Sequence, residues 1–256
     1  MVKLEDVLEA LDRVVDPEID LPITKLGFVE NIEITEDGSV RIYMRLPTYW
    51  CAPNFVYLMM KGARDEVSRV KGVKSVTVLL KDHFVASELN EGLLHGKSFK
   101  ECLPNDLITG SLDELKRTFD EKAYVSRQAA LLSKLLASGL TLEEVTKLRL
   151  CDMELDKSGT DIIVRSGEKR IQIAKAGHIF RSYLNKMQEL GIAIHTQSPL
   201  FLDSKGKPMD LEEIRNVIEL GRRRRLNFKS NAILCTALLS SRYNLDKQKL
   251  WDQIEV

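Results

Sequence analysis

Cys51 is the residue whose type and surroundings are best suited to chemistry. It lies in the decamer LPTYWCAPNF, between Pro47 and Pro53, where a predicted strand ends and a predicted helix begins. Unpaired N–H groups and the dipole at a helix start favour an anion, so a cysteine there is a candidate nucleophile or metal ligand. Pro53 suits the first helical position, because its missing N–H costs nothing there. The alternative is a small buried hydrophobe at a strand end; the two prolines favour a rigid loop instead.

Composition restricts the class of protein. The chain has 256 residues, 44% of them hydrophobic and 30% charged, which is typical of a globular protein of one or two domains. Lys plus Arg equals Asp plus Glu at 38 each, so no global positive field favours nucleic acid. The N-terminus lacks the apolar core of a signal peptide, and no apolar run is long enough to span a bilayer. Four cysteines without a CxxC motif fit a reducing compartment. We therefore expect a soluble cytoplasmic protein with no membrane partner.

Hydrophobic periodicity predicts the element order α-β-β-α-β at the start of the chain. An amphipathic helix in LEDVLEALDRVV is ended by Asp16-Pro17. Two alternating runs, GFVENIEIT and SVRIYMRL, flank the turn sequence EDG, which is a strong hairpin signal. A helix over about residues 54–70 and a strand around VTVLL follow. The fold class is α+β, with a compact two-layer domain predicted over residues 1–92.

These landmarks together resemble the SufT/PaaD-type iron–sulfur cluster assembly factor domain. That family has Asp-Pro-Glu after the first helix, Leu-Gly-hydrophobic-Val at the first strand and Thr-x-x-Cys before the second helix. The chain has DPE at 16–18, LGFV at 26–29 and TYWC at 48–51, in that order. The resemblance covers residues 1 to about 90 and implies that Cys51 is a functional thiol that engages iron or an iron–sulfur cluster transiently.

The resemblance also implies which residues surround this thiol: Asp16, Glu18, Thr48 and Asn54. Many family members have Pro-Trp after the third strand, where this chain has DHF, so His83 is a candidate additional metal ligand; its alternative role is that of a hydrogen-bonded surface histidine. A metal held by Cys51 with Glu18 or His83 would combine soft and hard ligands. One cysteine cannot supply the four ligands of a stable cluster, so the chain would share the metal across a homodimer or borrow ligands from a client.

The remainder of the chain is predicted to be a linker over residues 93–110 and a mostly helical domain with a small β-hairpin over residues 111–256. Ser-x-x-Glu and Thr-x-x-Glu capping boxes begin two helices, at Ser111 and Thr141. Three later helices are predicted over about 176–190, 210–222 and 228–241. Among the other cysteines, we expect Cys235 in a helix core, Cys151 without neighbouring ligands, and Cys102 exposed in the linker.

The second half resembles a degenerate tyrosine-recombinase-like fold only weakly, through GLTLEEV at 139–145. That family has an arginine where Thr141 stands and a later His-x-x-Arg motif that this chain lacks, so strand cleavage is not expected. A run of four arginines could pair with phosphates or with an acidic partner, or could be a solvated helix C-terminus. These arginines are Arg222, Arg223, Arg224 and Arg225.

The leading functional hypothesis is a non-enzymatic accessory factor for assembly of an iron–sulfur cluster or iron centre and its delivery to a client protein. The C-terminal domain would recognise the client. Chains of this two-part layout also resemble accessory proteins of binuclear-iron monooxygenases, which makes a di-iron client a candidate. Other assembly factors and a second copy of the chain are further candidate partners. The competing hypothesis is a nucleic-acid-binding regulator with a catalytically inactive recombinase-like domain.

Overall fold

The computed structural model describes residues 2–104 and 111–243. Over these residues the chain forms helices α1 to α8 and strands β1 to β6. In chain order they are α1 (Leu4–Leu11), β1 (Val29–Ile34), β2 (Ser39–Arg45), α2 (Pro53–Ser68), β3 (Ser75–Lys81), α3 (Ala86–Leu94), α4 (Phe99–Cys102), α5 (Leu112–Ala137), α6 (Leu142–Lys147), β4 (Met153–Leu155), β5 (Ile162–Ser166), β6 (Lys169–Ile173), α7 (Gly177–Glu189) and α8 (Leu211–Tyr243). The predicted α+β class, with the order α-β-β-α-β at the start, is confirmed.

The first sheet has the order β1-β2-β3, with β2 in the centre. β1 and β2 are antiparallel and β2 and β3 are parallel, so Ile42 pairs with Ile32 on one side and Val78 on the other. A parallel pair needs a crossover connection, and α2 supplies it. The apolar positions of β2 are buried, as the alternating pattern predicts. Residues 46–52, which include Cys51, connect the end of this central strand to the start of α2.

The β1–β2 hairpin turns at Gly38, which has a φ of +88°. A Cβ atom at this position would lie 2.5 Å from the carbonyl oxygen of Gly72, so both the backbone conformation and the available space require glycine. The EDG turn predicted from the sequence thus has two physical reasons for its glycine.

Two helices that the sequence did not indicate follow β3. Leu89 and Leu93 of α3 are buried, and the short α4 ends at Cys102, which is also buried. The expectation that Cys102 is exposed in a linker is wrong, because its side chain packs against α3: a Cβ on Gly92 would lie 2.2 Å from the Cys102 sulfur. Burial raises the pKa of the Cys102 thiol. Cys102 is therefore a packing residue and no rival to Cys51.

The second sheet, β4-β5-β6, is antiparallel and has one strand more than the predicted hairpin. The capping box before α6 is present: Thr141 Oγ1 accepts from the Glu144 N–H, and the Glu144 carboxylate accepts from the Thr141 N–H. The Glu114 N–H likewise donates to Ser111 Oγ at the start of α5. A stacked pair of buried tyrosines, Tyr124 and Tyr183, lies in the core of this region.

Helix α8 is continuous over Leu211–Tyr243, where the sequence analysis predicted two helices. Arginine and leucine are good helix formers, and no glycine or proline lies between Gly221 and Tyr243 to end the helix. No described helix is long and apolar enough to cross a membrane.

The chain divides into two compact units. The first unit contains Met1–Leu115 and Phe228–Val256, and the second contains Lys116–Asn227. Within the first unit, Ala232 and Leu239 of α8 are fully buried in the core formed by the opening α+β elements. The domain limits predicted from the sequence, 1–92 and 111–256, stay a prediction. The end of α8 groups here with the opening region of the chain.

Candidate functional site

Cys51 lies in the connection between β2 and α2, at the position that the sequence predicts. Its side chain is half-buried. Helix α2 begins with Pro53 in its first turn, and its N-cap residue Ala52 makes no side-chain capping hydrogen bond. Asn54 bonds locally, since its Oδ1 accepts from the Phe55 N–H at 3.0 Å. The start of this helix therefore has no threonine, serine or aspartate cap at Ala52, and the cysteine occupies the position just before it.

Thr48 is the side chain that contacts the Cys51 sulfur. Thr48 Oγ1 and Cys51 Sγ are 3.2 Å apart, within hydrogen-bonding distance for sulfur. The same hydroxyl oxygen accepts from the Trp50 N–H at 3.3 Å. Because that oxygen serves as an acceptor for Trp50, its own hydrogen is available to donate to the sulfur. Thr48 thus fixes the position of Sγ within the loop.

His83 holds the same loop from the other side. Its Nε2 donates to the Cys51 carbonyl oxygen at 2.8 Å, and its Nδ1 accepts from the Val85 N–H at 3.4 Å. Burial lowers the pKa of His83, against the opposing effect of the bond to Cys51. With both ring nitrogens engaged, the imidazole has no lone pair for a metal. We assign His83 to positioning the loop and leave it out of the proposed ligand set.

The residue before His83 has an unusual backbone. Asp82 has a φ of +52°, in the left-handed region that a non-glycine residue adopts only at a cost. Its Oδ2 pairs with Arg45 Nε at 3.0 Å, and the Phe84 N–H donates to the Tyr49 carbonyl at 3.2 Å. These contacts hold the strained turn in place and direct His83 towards Cys51. This strain was not visible in the sequence.

Asp16 organises the loop after α1. It is buried, and its Oδ1 accepts from the N–H groups of Glu18 and Ile19, each at 2.9 Å. Burial raises the pKa of Asp16 to about 6, because the desolvation of the carboxylate outweighs the two hydrogen bonds. Glu18 is exposed. Asp16 therefore shapes the DPE loop, while the Glu18 side chain remains open to solvent.

Cys235 lies in the same compact unit as Cys51. It is half-buried on α8 and packs against the core of the first unit. Burial raises the pKa of Cys235 to about 12, with smaller contributions in the same direction from Asp16, Cys51 and Glu18. Its packing against the core agrees with the prediction made from the apolar helix face that carries it. No spacing in the sequence links Cys235 to Cys51.

Exposed aromatic side chains adjoin Cys51. Trp50 is 72% exposed and Tyr49 is 42% exposed, and the two rings pack edge to face at 4.9 Å. Trp50 also lies 5.2 Å from the ring of Phe84. Large aromatic residues that are held in place yet open to solvent are typical of protein-interaction surfaces.

The donor set fits a metal only in part. Within the described ranges, no three His, Cys, Asp or Glu side chains are grouped closely enough to hold a metal ion. The thiol of Cys51 and the exposed carboxylate of Glu18 are donors of the mixed kind that iron accepts, but they leave most of its coordination positions unfilled. The described residues thus do not form a complete ligand set for a resident metal ion or cluster.

The arginine run is described only at Arg223, which is exposed and pairs with Glu219. The side chains of Arg222, Arg224 and Arg225 lie outside the described part of the chain.

The region of the chain that contains Cys51 matches a known protein family. The family model of the iron–sulfur cluster assembly protein matches residues 4–80. An uncharacterized protein of Methanocaldococcus jannaschii is 32% identical over 93 residues, which is 36% of this chain and 96% of the relative. An Fe-S protein maturation auxiliary factor of Porphyromonas gingivalis is 36% identical over 75 residues, 29% of this chain and 69% of the relative.

Two further similarities cover less of the matched protein. The Fe-S protein maturation auxiliary factor YitW of Bacillus subtilis is 38% identical over 63 residues, 24% of this chain and 62% of the relative. A crystal structure of XerA recombinase aligns with 64% of this chain and 61% of its own, at 23% identity and a TM-score of 0.31. That score is too low to assign a fold, so the recombinase-like hypothesis gains no support from it.

Proposed function

Because the chain belongs to the iron–sulfur cluster assembly protein family, we propose that it is a maturation factor that contacts iron or a cluster through Cys51 and passes it to a client protein. Two of its relatives carry the name maturation auxiliary factor, which describes an accessory role and not a catalytic one. The proposed role is accordingly that of an accessory factor and not of an enzyme.

The observation that supports this role best is the way the loop presents Cys51. Thr48 lies 3.2 Å from the sulfur, and His83 binds the carbonyl of the same residue at 2.8 Å. Thr48 therefore contacts the sulfur and His83 holds the backbone of the same residue, while the Cys51 side chain remains partly accessible. A fixed and accessible thiol is what a transient metal ligand needs, because it must bind the metal without enclosing it.

An incomplete set of protein ligands favours transfer of the iron or cluster to a client. A [2Fe–2S] or [4Fe–4S] cluster takes four cysteine ligands, and a closed set of four would hold it permanently. A donor set that leaves positions open allows a client, another assembly factor or a second copy of the chain to supply the remaining ligands. The carboxylate of Glu18 is a candidate hard ligand to iron, and buried Asp16 shapes the loop that carries it.

The proposed client-docking surface consists of Tyr49, Trp50 and Phe84. A client metalloprotein that covers these rings would bring its own ligands next to Cys51, because Trp50 is the adjacent residue. Residues 111–256 would contribute client recognition. A binuclear-iron monooxygenase is one candidate client. A reducing compartment such as the cytoplasm fits a site that works through a reduced thiol.

Replacement of Cys51 by serine tests the proposal. In a cell that lacks the native gene, Cys51→Ser should fail to restore the activity of the iron-dependent client, whereas Cys151→Ser, at an exposed cysteine far from the loop in sequence, should restore it fully. Circular dichroism and thermal unfolding should show that both variants fold. Full client maturation by Cys51→Ser would reject the proposed thiol contact.

A further inference from the structure

We propose that Arg45 and Glu30 are positioning residues for Cys51. Their side chains hold the turn at Asp82, and that turn keeps His83 on the Cys51 carbonyl. The inference rests on the proposed function only in taking Cys51 as the working thiol. Neither Arg45 nor Glu30 belongs to the DPE, LGFV or TYWC motif, so the sequence patterns assign no role to them.

Arg45 bridges two carboxylates at the end of β2. Its Nη1 lies 2.7 Å from Glu30 Oε1, and its Nε lies 3.0 Å from Asp82 Oδ2. Only 24% of the Arg45 side chain is exposed, and its Nε atom is buried. A buried cationic group is costly unless an anion lies beside it. The guanidinium therefore favours the backbone arrangement that brings the Asp82 carboxylate to it.

A β-bulge in β1 brings Glu30 to this network. The pairing of β1 with β2 has one extra residue on β1 between Val29 and Asn31, and that residue is Glu30. A bulge changes the direction in which a strand side chain points and often lies next to a functional site. The Glu30 carboxylate contacts both Arg45 and Lys81, the latter at 2.9 Å. The bulged residue thus supplies one carboxylate to two cations.

Those two cations lie at the ends of neighbouring strands. Arg45 is the last residue of β2 and pairs in register with Lys81, the last residue of β3. Like charges on opposed residues of adjacent strands repel each other. Glu30 offsets that repulsion, and Asp82 contributes a second carboxylate to Arg45. The four side chains form one network of alternating charge at the end of β3, immediately before His83.

The network ends at the backbone that positions His83. Asp82 has a φ of +52°, which costs free energy in a residue with a side chain. Such a strained conformation persists only where its surroundings fix it. The ion pair with Arg45 is one such constraint, and the residue after Asp82 donates from its Nε2 to the Cys51 carbonyl at 2.8 Å. Loss of the ion pair should therefore let the turn relax and move His83 away from the loop.

Nuclear magnetic resonance of the His83 ring tests the inference on the full chain without metal. Because Nε2 donates to a carbonyl and Nδ1 accepts from an N–H, the neutral wild-type ring should show the nitrogen chemical shifts of a single tautomer. Arg45→Met should show the averaged shifts of a ring that exchanges between both tautomers. Arg41→Met is the matched control, because it removes an ion pair to Glu33 between the same two strands. It should keep the wild-type shifts.

The rate of Cys51 alkylation is the second measurement. Iodoacetamide should modify Cys51 several-fold faster in Arg45→Met than in wild type, because release of the loop exposes a side chain that is otherwise half-buried. Peptide mapping separates the cysteines, and the exposed Cys151 is the reference within each sample. Arg41→Met should match wild type. An unchanged Cys51 rate in Arg45→Met would overturn the inference, as would an unchanged His83 spectrum.

Asp82→Gly decides whether Arg45 acts through the strained turn. Glycine adopts a positive φ without strain, so Asp82→Gly should keep His83 on the loop although it lacks the carboxylate. In the Asp82→Gly chain, Arg45→Met should have no further effect on the His83 shifts or on Cys51 alkylation. A full effect of Arg45→Met in that chain would show that the arginine does not act through the turn, and the inference would fail.

A pair of substitutions at Asp82 keeps the inference testable if Arg45→Met does not fold. Asp82→Gly and Asp82→Val both remove the carboxylate, but the branched side chain of valine disfavours a positive φ. Only Asp82→Val should release His83, and equal spectra of the two variants would contradict the inference. None of these measurements uses iron or a client. Full client maturation by Cys51→Ser would thus reject the proposed function and leave the positioning role standing.

Discussion

The starts of α2 and α6 use a threonine in opposite ways. At α6, Thr141 caps the helix: its hydroxyl accepts from the Glu144 N–H, Glu144 accepts in return, and Lys169 pairs with Glu144. At α2, the threonine of the preceding loop, Thr48, contacts the Cys51 sulfur, and the N-cap position is an alanine without a side-chain cap.

The difference separates a helix start that its own side chains stabilise from one that adjoins the proposed functional thiol. The α6 start satisfies its backbone N–H groups with its own side chains, which stabilises the helix by about 1 kcal/mol. The α2 start gives up that stabilisation at Ala52 and uses the nearby hydroxyl to position a thiol. Two four-residue patterns that begin with threonine, TLEE at 141–144 and TYWC at 48–51, thus have different roles, and the contact partner of the hydroxyl decides which.

The largest effect on stability should come from His83→Phe, which keeps a ring of similar shape but removes the donor to the Cys51 carbonyl. Loss of that bond should lower the free energy of unfolding by about 1–3 kcal/mol, because the carbonyl is left without its partner. Urea denaturation measures the change. His95→Phe, at an exposed histidine, should cost less than about 0.5 kcal/mol. Equal effects at both histidines would show that His83 does not hold the loop.

A matched pair of threonine substitutions compares the two helix starts directly. Thr141→Val should lower the free energy of unfolding by about 1 kcal/mol, because it removes the helix cap. Thr48→Val should leave stability within about 0.5 kcal/mol of wild type, yet weaken cobalt binding at Cys51 several-fold, because Sγ loses the group that positions it. Denaturation and Co²⁺ titration on both variants provide the two readouts. A stability loss in Thr48→Val as large as that in Thr141→Val would show that the two threonines do not differ in their role at the helix starts.

The smallest expected effect is the pH dependence of the stability that Glu144 contributes at the start of α6. Lys169 holds the pKa of Glu144 below its ordinary value, with the Thr141 N–H acting in the same direction. A carboxylate with a lowered folded-state pKa stabilises the fold above its unfolded-state pKa and loses that contribution as pH falls through the folded-state value. The stability difference between wild type and Glu144→Gln should therefore be small and positive at pH 7 and should vanish in acid. Thermal unfolding from pH 7 to pH 3 measures it; a difference independent of pH would contradict the assignment.

Local patterns were sufficient for much of the fold. The order of α1 to β3 followed from periodicity and from the EDG turn, and both capping boxes were recognisable as short motifs. The helices α3 and α4 were missed because the stretch that contains them is short, rich in turn formers and weakly periodic. Helix α8 was divided in two because its polar middle interrupts the apolar pattern, although nothing in it breaks a helix.

The candidate site, like the fold, was predictable only where its residues belong to short local patterns. Cys51 and the DPE loop stand out through motifs confined to a few residues each. The role of His83 depends on the left-handed backbone of Asp82, and the location of Cys235 depends on packing between segments that are far apart in the chain. Neither the role of His83 nor the location of Cys235 can be recognised from the spacing of residues that are close in the sequence.

The sequence alone determined the α+β class, the family of the first region and the identity of the loop thiol, because each depends on periodicity or on a motif a few residues long. Only the tertiary structure decided what surrounds that thiol. It turned His83 towards the backbone of the loop, buried Cys102 beneath α3 and placed the Cys235 face of α8 on the core of the first unit. These outcomes depend on long-range burial of apolar surface, which joins distant segments by how well they pack and not by their distance along the chain.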